Sequence, residues 1–479
     1  MKSWFRDMLL LLGCTAAVAE PVQQGVLPMK DIREFGAIGD GRVDDTSAIQ
    51  AALQGGGLIV VPAGRYLTGT LYLESDTELR LAPGAELLAS TDPAAYNPAQ
   101  FSPENTLPSV TERVSARHLL IAIGKKNITL SGGRINGNAP GWMPERPVRR
   151  GEDFFANLNP ERPAQMLYFR RCEEIEIRDV TLVDATYWHL FLHRCRNIRL
   201  EGIRIFGRHY FLNGDGIDVD ACSNVMVRNC IIDTSDDAIT LRASDRRSDL
   251  PPPVCENVIV SNCVLRSSFA NAIRIGVGNG TIRNSLIDNI IVRESATALS
   301  IISRYNANSA GCLIETITFS NLLVGAGRFL SLKTILNEQV PPPERPGAAI
   351  RNLLFVNISG STERTSWIFG TPANPVENLR FSEITITHSG SGTSPDIDAN
   401  GFWGRGSSDA VLELHYTRDI HFNRVRLLRS RLSDLEKYDA VLHCCRNTEF
   451  ENCLKNDGIP WRISTETIPA QNQPHTAEK

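Results

Sequence analysis

The chain has 479 residues and a net charge of −4; 42% of its residues are hydrophobic and 22% are charged. This balance is ordinary for a folded globular protein. The sequence shows no long basic run, which argues against nucleic acid as a partner, because nucleic-acid-binding proteins present a cationic surface. Eleven cysteines are too few for a disulfide scaffold in a chain of this length, and they do not show zinc-site spacing.

The N-terminal segment MKSWFRDMLLLLGCTAAVAEP is typical of a secretory signal peptide spanning residues 1–19. Lys2 and Arg6 precede a short apolar run, and residues 17–19 are small enough for cleavage. The run is too short to cross a membrane. An alternative is lipidation at Cys14, because LLGC resembles a bacterial lipoprotein signal. We therefore expect a periplasmic or extracellular protein without a membrane span.

The mature chain begins with a predicted cap followed by short strands, over residues 31–90. In DDTSAIQAALQGGG, Asp45 or Thr46 can cap a short helix that runs to about Leu53 and is stopped by three glycines. Residues 92–163 are rich in proline, asparagine and charge, and we interpret them as a loop-rich insertion that lines a groove. Residues 466–479 are polar and predict a disordered tail.

A short phrase then recurs every two to three dozen residues: a polar residue or cysteine, one further residue, an asparagine, and alternating apolar residues. It occurs at Asn127, Asn197, Asn224, Asn257, Asn352 and Asn378, with variants at Glu174 and Asp419. Short strands joined by turn residues at this spacing predict an all-β protein, and antiparallel hairpin signals are not dominant. We predict a parallel β-helix in which each coil is one repeat, forming a single domain over residues 20–465 with regular coils at 164–465.

Stacked coils place equivalent residues in columns. The cysteines two positions before the repeated polar residue predict one internal ladder, and two further cysteines predict another. These are Cys172, Cys195, Cys222 and Cys255, and then Cys230 and Cys263. We also expect an internal asparagine ladder at the turns, with side-chain amides bonded to the coils above and below.

The stretch NGDGIDVDACSNVMVRNCIIDTSDDAITL carries six aspartates among alternating apolar residues. Asp215 and Asp236 are 21 residues apart, about one coil, and Asp237 follows. Residues one coil apart lie about 4.8 Å from each other, so these carboxylates can meet on one outer face. Crowded carboxylates raise a pKa, and a protonated acid beside ionised ones suits glycosidic cleavage. The alternative is that they are turn aspartates. We expect Asp218, Asp220 and Asp233 to be turn aspartates or to accept backbone hydrogen bonds.

These segments resemble glycoside hydrolase family 28, the polygalacturonase-like enzymes, over residues 31–321. DIREFGAIGDGRVDDTSAIQAAL, GGRINGNAPGW, NGDGID and SDDAITLRAS carry the resemblance. It implies a right-handed, pectin-lyase-like parallel β-helix and inverting hydrolysis without a cofactor or metal. It assigns Asp236 as general acid, Asp215 and Asp237 as the carboxylates that hold and deprotonate water, and Asn213 as an orienting residue.

Two departures from the family pattern concern substrate binding. When the family's Gly-His-Gly motif is aligned with this sequence, Asn271 stands at the position of the histidine. When its Arg-Ile-Lys motif is aligned, Ser300 and Ile302 stand at the two basic positions. Serine cannot replace an arginine that pairs with a sugar carboxylate. Three arginines nearby in the sequence can take over this role, or can be solvated surface charges: Arg242, Arg274 and Arg304.

Three functions fit this sequence. The first is an exported, monomeric hydrolase of a pectin-type or related polysaccharide. The second is an inactive carbohydrate-binding or adhesive β-helix, which the missing basic residues favour and the aspartates oppose. The third is a calcium-dependent lyase or epimerase on the same scaffold. His189 and His193 are predicted to be structural or groove-lining, and Trp188 to be a core residue or a sugar platform.

Overall fold

The computed structural model describes residues 29–101, 112–143, 158–209, 213–245, 250–304, 310–335, 349–390, 410–430 and 438–466. The predicted signal peptide, Cys14 and the predicted tail beyond residue 466 lie outside the described residues. Within those ranges, the helices are too short to cross a membrane.

The described residues form 33 strands and one α-helix, α1, over Thr46–Leu53. The strands in chain order are β1 Met29–Asp31, β2 Asp40–Asp44, β3 Gly57–Val61, β4 Gly64–Thr68, β5 Leu71–Tyr72, β6 Thr77–Leu81, β7 Ala85–Ala89, β8 Leu120–Ile123, β9 Lys126–Ser131, β10 Arg134–Asn136, β11 Leu167–Arg170, β12 Glu173–Arg178, β13 Thr181–Val183, β14 Leu190–His193, β15 Arg196–Glu201, β16 Arg204–Phe206, β17 Ile217–Asp220, β18 Ser223–Arg228, β19 Ile231–Thr234, β20 Ile239–Ala243, β21 Val254–Ser267, β22 Asn271–Gly278, β23 Thr281–Arg304, β24 Leu313–Ile335, β25 Ala349–Thr362, β26 Ser366–Phe369, β27 Val376–His388, β28 Ala410–His415, β29 Thr417–Arg429, β30 Tyr438–His443, β31 Arg446–Glu451, β32 Leu454–Lys455 and β33 Ile463–Glu466.

Helix α1 covers the first coil, where the sequence predicts a cap. It begins after Asp45 and ends at Leu53, and its residues Ile49 and Leu53 are fully buried. The Asp45 carboxylate does not cap the helix, because it accepts hydrogen bonds from the backbone N–H groups of Ile38 and Gly39 at 2.6 and 3.1 Å. The carboxylate therefore holds the preceding loop against the helix.

The strands stack in register as a right-handed parallel β-helix, which confirms the predicted fold. One of its three faces, the front sheet, comprises β5, β8, β11, β14, β17, β20, β22, the C-terminal parts of β23 and β24, β26, β28, β30 and β33. Within residues 92–163, β8, β9 and β10 pair with strands of the next coil. That part of the expected insertion is therefore regular coil.

The register stacks equivalent positions in columns inside the coils, and in some columns one residue type repeats. The Cys172 N–H lies 3.4 Å from Cys195 Sγ, and the Cys195 N–H lies 3.3 Å from Cys222 Sγ, so the predicted cysteine ladder is present inside the coils. The described cysteines are free thiols. Toward the C-terminus, phenylalanine rings stack with centroids 4.6 to 5.0 Å apart. They belong to Phe319, Phe355, Phe381, Phe422 and Phe450.

The asparagine of the recurring phrase occupies one tight turn in each coil. Asn224 has φ 57°, in the left-handed region that asparagine tolerates better than most residues. Its Nδ2 donates to Asn197 Oδ1 at 2.9 Å, and its Oδ1 accepts from Asn257 Nδ2 at 3.1 Å. The prediction of an internal ladder was wrong, because these side chains are exposed. The turn bends the chain at the surface, so its amides form a ladder on the outside.

We expect Asn224→Ala to lower the free energy of unfolding by about 1–2 kcal/mol, because alanine adopts the left-handed conformation less readily than asparagine and the ladder loses its amide. Asn224→Gly should lower it less, since glycine adopts that conformation and only the amide contacts disappear. Urea unfolding of both variants measures the difference. Equal losses would show that the backbone conformation does not select asparagine here.

Candidate active site

Three aspartates meet where two neighbouring coils turn into the front sheet. Asp215 precedes β17, and Asp236 and Asp237 precede β20. Ile217 pairs with Ile239, so Asp215 stands in register with Asp237, and the Gly216 N–H donates to the Asp237 carbonyl at 2.9 Å. One carboxylate oxygen from each of the three lies within 4.8 Å of the others. The structure thus brings the predicted residues together, and we call them the Asp triad.

Asp236 is held by backbone donors on both carboxylate oxygens. Its Oδ2 accepts from the Asn213 N–H at 3.0 Å and its Oδ1 from the Asp237 N–H at 2.9 Å. Burial, followed by the negative charge of Asp237, raises the pKa of Asp236 to about 7, although these donors act in the opposite direction. Asp236 is therefore a carboxyl group that can keep its proton in weakly acidic solution.

Asp237 lies among groups that stabilise a negative charge. Its Oδ1 accepts from the Asn271 backbone at 3.1 Å and from the Asn271 side-chain amide at 2.6 Å. The Arg274 guanidinium lies 3.6 Å from its Oδ2, and both side chains are buried. Contacts of this kind hold the orientation of the carboxylate. Asn271, at the position of the family's histidine, therefore supports the triad directly.

Asp215 is the third carboxylate, and its backbone is fixed by a histidine. Burial, and then the charges of Asp236, Asp218 and Asp237, raises its pKa well above the ordinary value. Nδ1 of His189 lies 2.8 Å from the Asp215 carbonyl oxygen, which can only accept, so Nδ1 carries the proton. Burial lowers the pKa of His189 to about 4 and keeps the ring neutral. His189 is thus a positioning residue.

Arg242 belongs to a neighbouring group of charges. Its NH1 lies 3.1 Å from Asp218 Oδ1, and its guanidinium lies 4.5 Å from the centre of the Trp188 ring. Asp218 and Asp220 are buried within β17, so they are not turn residues. Asp220 instead accepts a backbone hydrogen bond, from the Ser244 N–H at 2.7 Å, which is the other role expected for it. Trp188 is partly buried beside the front sheet and not in the central core. Arg242 lines this face, next to the triad.

The arginines proposed from the sequence thus occupy three different places. Arg274 contacts the triad, Arg242 contacts Asp218, and Arg304 lies at the C-terminal end of β23, in register with Ile335. Ser300 and Ile302 stand in register with Arg274 and Gly276, one coil beyond them. Sequence reasoning missed buried cations supplied by later coils, Arg328, Lys333 and Arg364. The coil register was the signal that could have located the first two.

Two groups among the described residues have donor atoms close enough to hold a metal ion. One is the Asp triad, and the other consists of Glu413, His415 and His443 near the C-terminal end of the front sheet. In the second group, His415 Nε2 lies 2.6 Å from Glu413 Oε1, which is a hydrogen-bonding distance. Its side chains are therefore already engaged with one another.

The family model of the glycosyl hydrolases family 28 matches residues 59–399, which is more than half of the chain. This chain belongs to that family. A second model, for rhamnogalacturonase A/epimerase, pectate lyase-like proteins, matches residues 29–81, the region of the N-terminal cap. The resemblance inferred from the sequence motifs is thereby confirmed.

Similar curated proteins are named polygalacturonases or galacturonosidases. The chain is 29% identical over 225 residues to a probable polygalacturonase of Vitis vinifera. It is 30% identical over 261 residues to an exo-poly-alpha-D-galacturonosidase of Dickeya chrysanthemi. Each match covers 44% of this chain, and 43% and 42% of those relatives respectively. The chain therefore spans less than half the length of these two relatives.

Solved structures share the fold over most of the chain. The family 28 exopolygalacturonase of Yersinia enterocolitica superposes with a TM-score of 0.69 at 19% identity, covering 89% of this chain and 78% of that one. The hyperthermoactive exopolygalacturonase of Thermotoga maritima gives a TM-score of 0.56 at 18% identity, covering 90% and 92%. At these identities the likeness establishes the architecture.

We expect Arg274→Ala to lower activity on an acidic oligosaccharide by at least about tenfold, because it removes the cation beside Asp237. Arg283→Ala is the matched control, since Arg283 is half-exposed on another face and pairs with Glu256 at 2.8 Å. Steady-state kinetics of the two variants measures the contrast. Equal losses would remove Arg274 from the site.

The raised pKa of Asp236 also predicts a pH-dependent stability. Its folded pKa of about 7 lies above the ordinary 3.8, so the folded state binds this proton more tightly and loses stability as the pH rises through 7. Asp236→Asn removes that loss. We therefore expect the melting temperature of the variant minus that of the unmodified protein to be larger at pH 8 than at pH 5.

Asp40→Asn is the control for this measurement. Backbone hydrogen bonds from Val43 and Arg42 lower the pKa of Asp40, so both pH values lie above its titration. Its relative melting temperature should be the same at pH 5 and pH 8. An equally flat profile for Asp236→Asn would contradict the raised pKa of Asp236.

Proposed function

We propose that this protein is an exported glycoside hydrolase that cleaves glycosidic bonds of a pectin-type or related polysaccharide by an inverting acid/base mechanism. The observation that carries the proposal is the Asp triad, three buried carboxylates from two stacked coils, in a chain that belongs to family 28. The names of the relatives, polygalacturonase and exo-poly-alpha-D-galacturonosidase, support a galacturonate-containing substrate.

In this mechanism Asp236 is the general acid. Its pKa of about 7 leaves it protonated in weakly acidic solution, where it can donate the proton to the leaving glycosidic oxygen. The backbone donors from Asn213 and Asp237 fix the direction of the carboxyl group. Once the bond has broken, Asp236 is left ionised and regains its proton from solvent.

Asp237 is the base that accepts a proton from the attacking water. Asn271 and Arg274 contact its carboxylate and hold it toward the site. Asp215, with its raised pKa, can keep its proton and donate a hydrogen bond to the oxygen of the same water, which orients it. A retaining mechanism needs only one carboxylate besides the acid, whereas two are present here, which supports direct attack by water.

Export is supported by the N-terminal segment, with its basic start, short apolar run and small residues before position 20. We propose a periplasmic or extracellular location, where such a polymer is accessible, and a monomer as the working unit. Binding of the polysaccharide along the front sheet would require no cofactor.

The test is Asp236→Asn, assayed on a natural oligogalacturonide and on an aryl galacturonoside with a nitrophenol leaving group. We expect a loss of about 10²- to 10⁴-fold on the natural substrate. The loss should be much smaller on the aryl substrate, because nitrophenolate leaves without protonation. Equal losses on both substrates would show that Asp236 is not the acid.

A calcium-dependent lyase is the second candidate, because the Asp triad can also hold a cation. Two observations separate these activities. With EDTA, the proposed hydrolase keeps its activity, whereas a lyase of this kind loses it. Without EDTA, the lyase forms unsaturated products, and the hydrolase does not. If the unmodified protein binds oligogalacturonides without cutting them, it is the carbohydrate-binding β-helix, and the hydrolase proposal is wrong.

A further inference from the structure

Two histidines and a glutamate meet on the outer surface of the front sheet, near its C-terminal end. Glu413 and His415 lie two positions apart on β28, so their side chains point to the same side of the sheet. Leu414, between them, is fully buried, which places Glu413 and His415 on the outside of the coil. His443 of β30 pairs in register with His415. The next coil therefore brings a second imidazole to the same place.

The glutamate lies close to both histidines. Glu413 Oε1 is 2.6 Å from His415 Nε2 and 3.9 Å from His443 Nε2. One donor atom from each of the three residues lies within 4.8 Å of the others. Ligand atoms bound tetrahedrally to Zn²⁺ at about 2.0–2.2 Å lie roughly 3.3 Å from one another. Small rotations of these side chains bring their donor atoms to that separation around one ion.

The chemistry of the donor atoms selects the class of ion. Imidazole nitrogen suits zinc and other transition metals, whereas Ca²⁺ and Mg²⁺ take oxygen ligands. Two histidines and one glutamate are a known ligand set for Zn²⁺, with water in the fourth position. An ion at this point would replace the proton in the hydrogen bond between His415 and Glu413. The donor set thus differs in kind from the Asp triad, which offers oxygen alone.

The surroundings of the cluster are partly apolar but leave it accessible. The three side chains are 14–21% exposed, so an ion can reach them from solvent. On the side of the preceding coil, the centre of the Phe369 ring lies 4.2 Å from that of the His415 ring, and the Trp367 ring follows at 5.7 Å from Phe369. An apolar wall limits competing water and strengthens the attraction between a cation and its ligands.

We propose that Glu413, His415 and His443 form a Zn²⁺ site that ties β28 to β30 near the C-terminal end of the β-helix. Beyond β30, the front sheet of the described residues continues only with β33. The end of a stack of coils has a neighbour on one side only, so its strands separate more easily than those in the middle. An ion with ligands from two coils opposes that separation, because it binds the folded state alone.

The site lies far from the Asp triad. Along the front sheet, the register runs from β20 through β22, β23, β24 and β26 to β28, which is five strand spacings. At about 4.8 Å each, these amount to roughly 24 Å. The ion therefore has no part in the proposed hydrolysis, and the inference goes beyond that function.

The experiment measures Zn²⁺ binding to the full chain by calorimetry, after EDTA treatment and dialysis. The buffer contains excess Ca²⁺, which occupies sites built from oxygen ligands alone. His443→Gln keeps a polar side chain but removes a metal ligand, so we expect the zinc affinity of this site to fall by at least about a hundredfold. His443→Cys should retain binding, because a thiolate also binds zinc.

Thermal unfolding gives a second readout. Saturating Zn²⁺ should raise the melting temperature of the unmodified protein by about 2–4 °C, and it should leave that of His443→Gln unchanged. If His443→Gln does not fold, His415→Gln replaces it in both measurements.

His421→Gln is the matched control. His421 Nδ1 lies 3.0 Å from Glu449 Oε2 on an exposed surface, which is a pair of one histidine and one glutamate. This variant should keep both the zinc affinity and the zinc-dependent rise in melting temperature. An unmodified protein that binds no Zn²⁺ in this buffer, or zinc binding that survives His443→Gln, would overturn the proposal. Equal losses in His421→Gln and His443→Gln would overturn it as well.

The zinc site and the proposed hydrolase fail separately. A protein that cuts oligogalacturonides but binds no Zn²⁺ through His443 shows that the site is wrong and leaves hydrolysis standing. A protein that binds Zn²⁺ through His443 but cuts no oligogalacturonide shows the reverse.

Discussion

The whole structure depends on one constraint, the in-register parallel pairing of each coil with the next. Adjacent coils repeat at the strand spacing of about 4.8 Å, so residues that are two to three dozen positions apart become neighbours. The same register produces the cysteine ladder, the phenylalanine stack and the asparagine ladder. It also produces the functional face, because Asp215, Asp237, Asn271, Thr297 and Arg328 follow one another in a single column.

This column concentrates charge that would be unfavourable in an ordinary core. Three carboxylates lie together at one end, and burial and mutual repulsion raise the pKa values of Asp215 and Asp236. Three cations, Arg328, Lys333 and Arg364, line a cavity further along. Functional sites often hold groups in arrangements that cost stability, and a rigid scaffold is what makes such arrangements persist. Here the backbone ladder supplies the rigidity, since each charged side chain stands on a hydrogen-bonded strand or on the turn before it.

Much of this could be predicted from the sequence. The recurring asparagine phrase indicated that the chain repeats in β-helix coils. The spacing of Asp215 and Asp236 indicated that their carboxylates lie close together. Polar residues inside the strands were harder to assign, because Asp218 and Asp220 resemble turn aspartates until their pairing with β14 and β20 is known. Whether the Asn224 side chain is buried or exposed depends on the path of the backbone through the turn, and the periodicity of the sequence does not reveal that path. Lys333 was missed because coil lengths vary, so its position beside Ile302 follows only from the register.

The most direct measurement of the central claim is proton NMR of the first sugar released from a defined oligogalacturonide, recorded before its anomers equilibrate. Closest oxygens within 4.8 Å of one another are nearer than the roughly 6.5–9.5 Å usual between the two carboxyl groups of an inverting pair. Inversion is expected nevertheless, because in the proposed mechanism Asp215 and Asp237 together hold the attacking water. A first product with retained configuration would mean that one aspartate attacks the sugar, and would contradict the proposed mechanism.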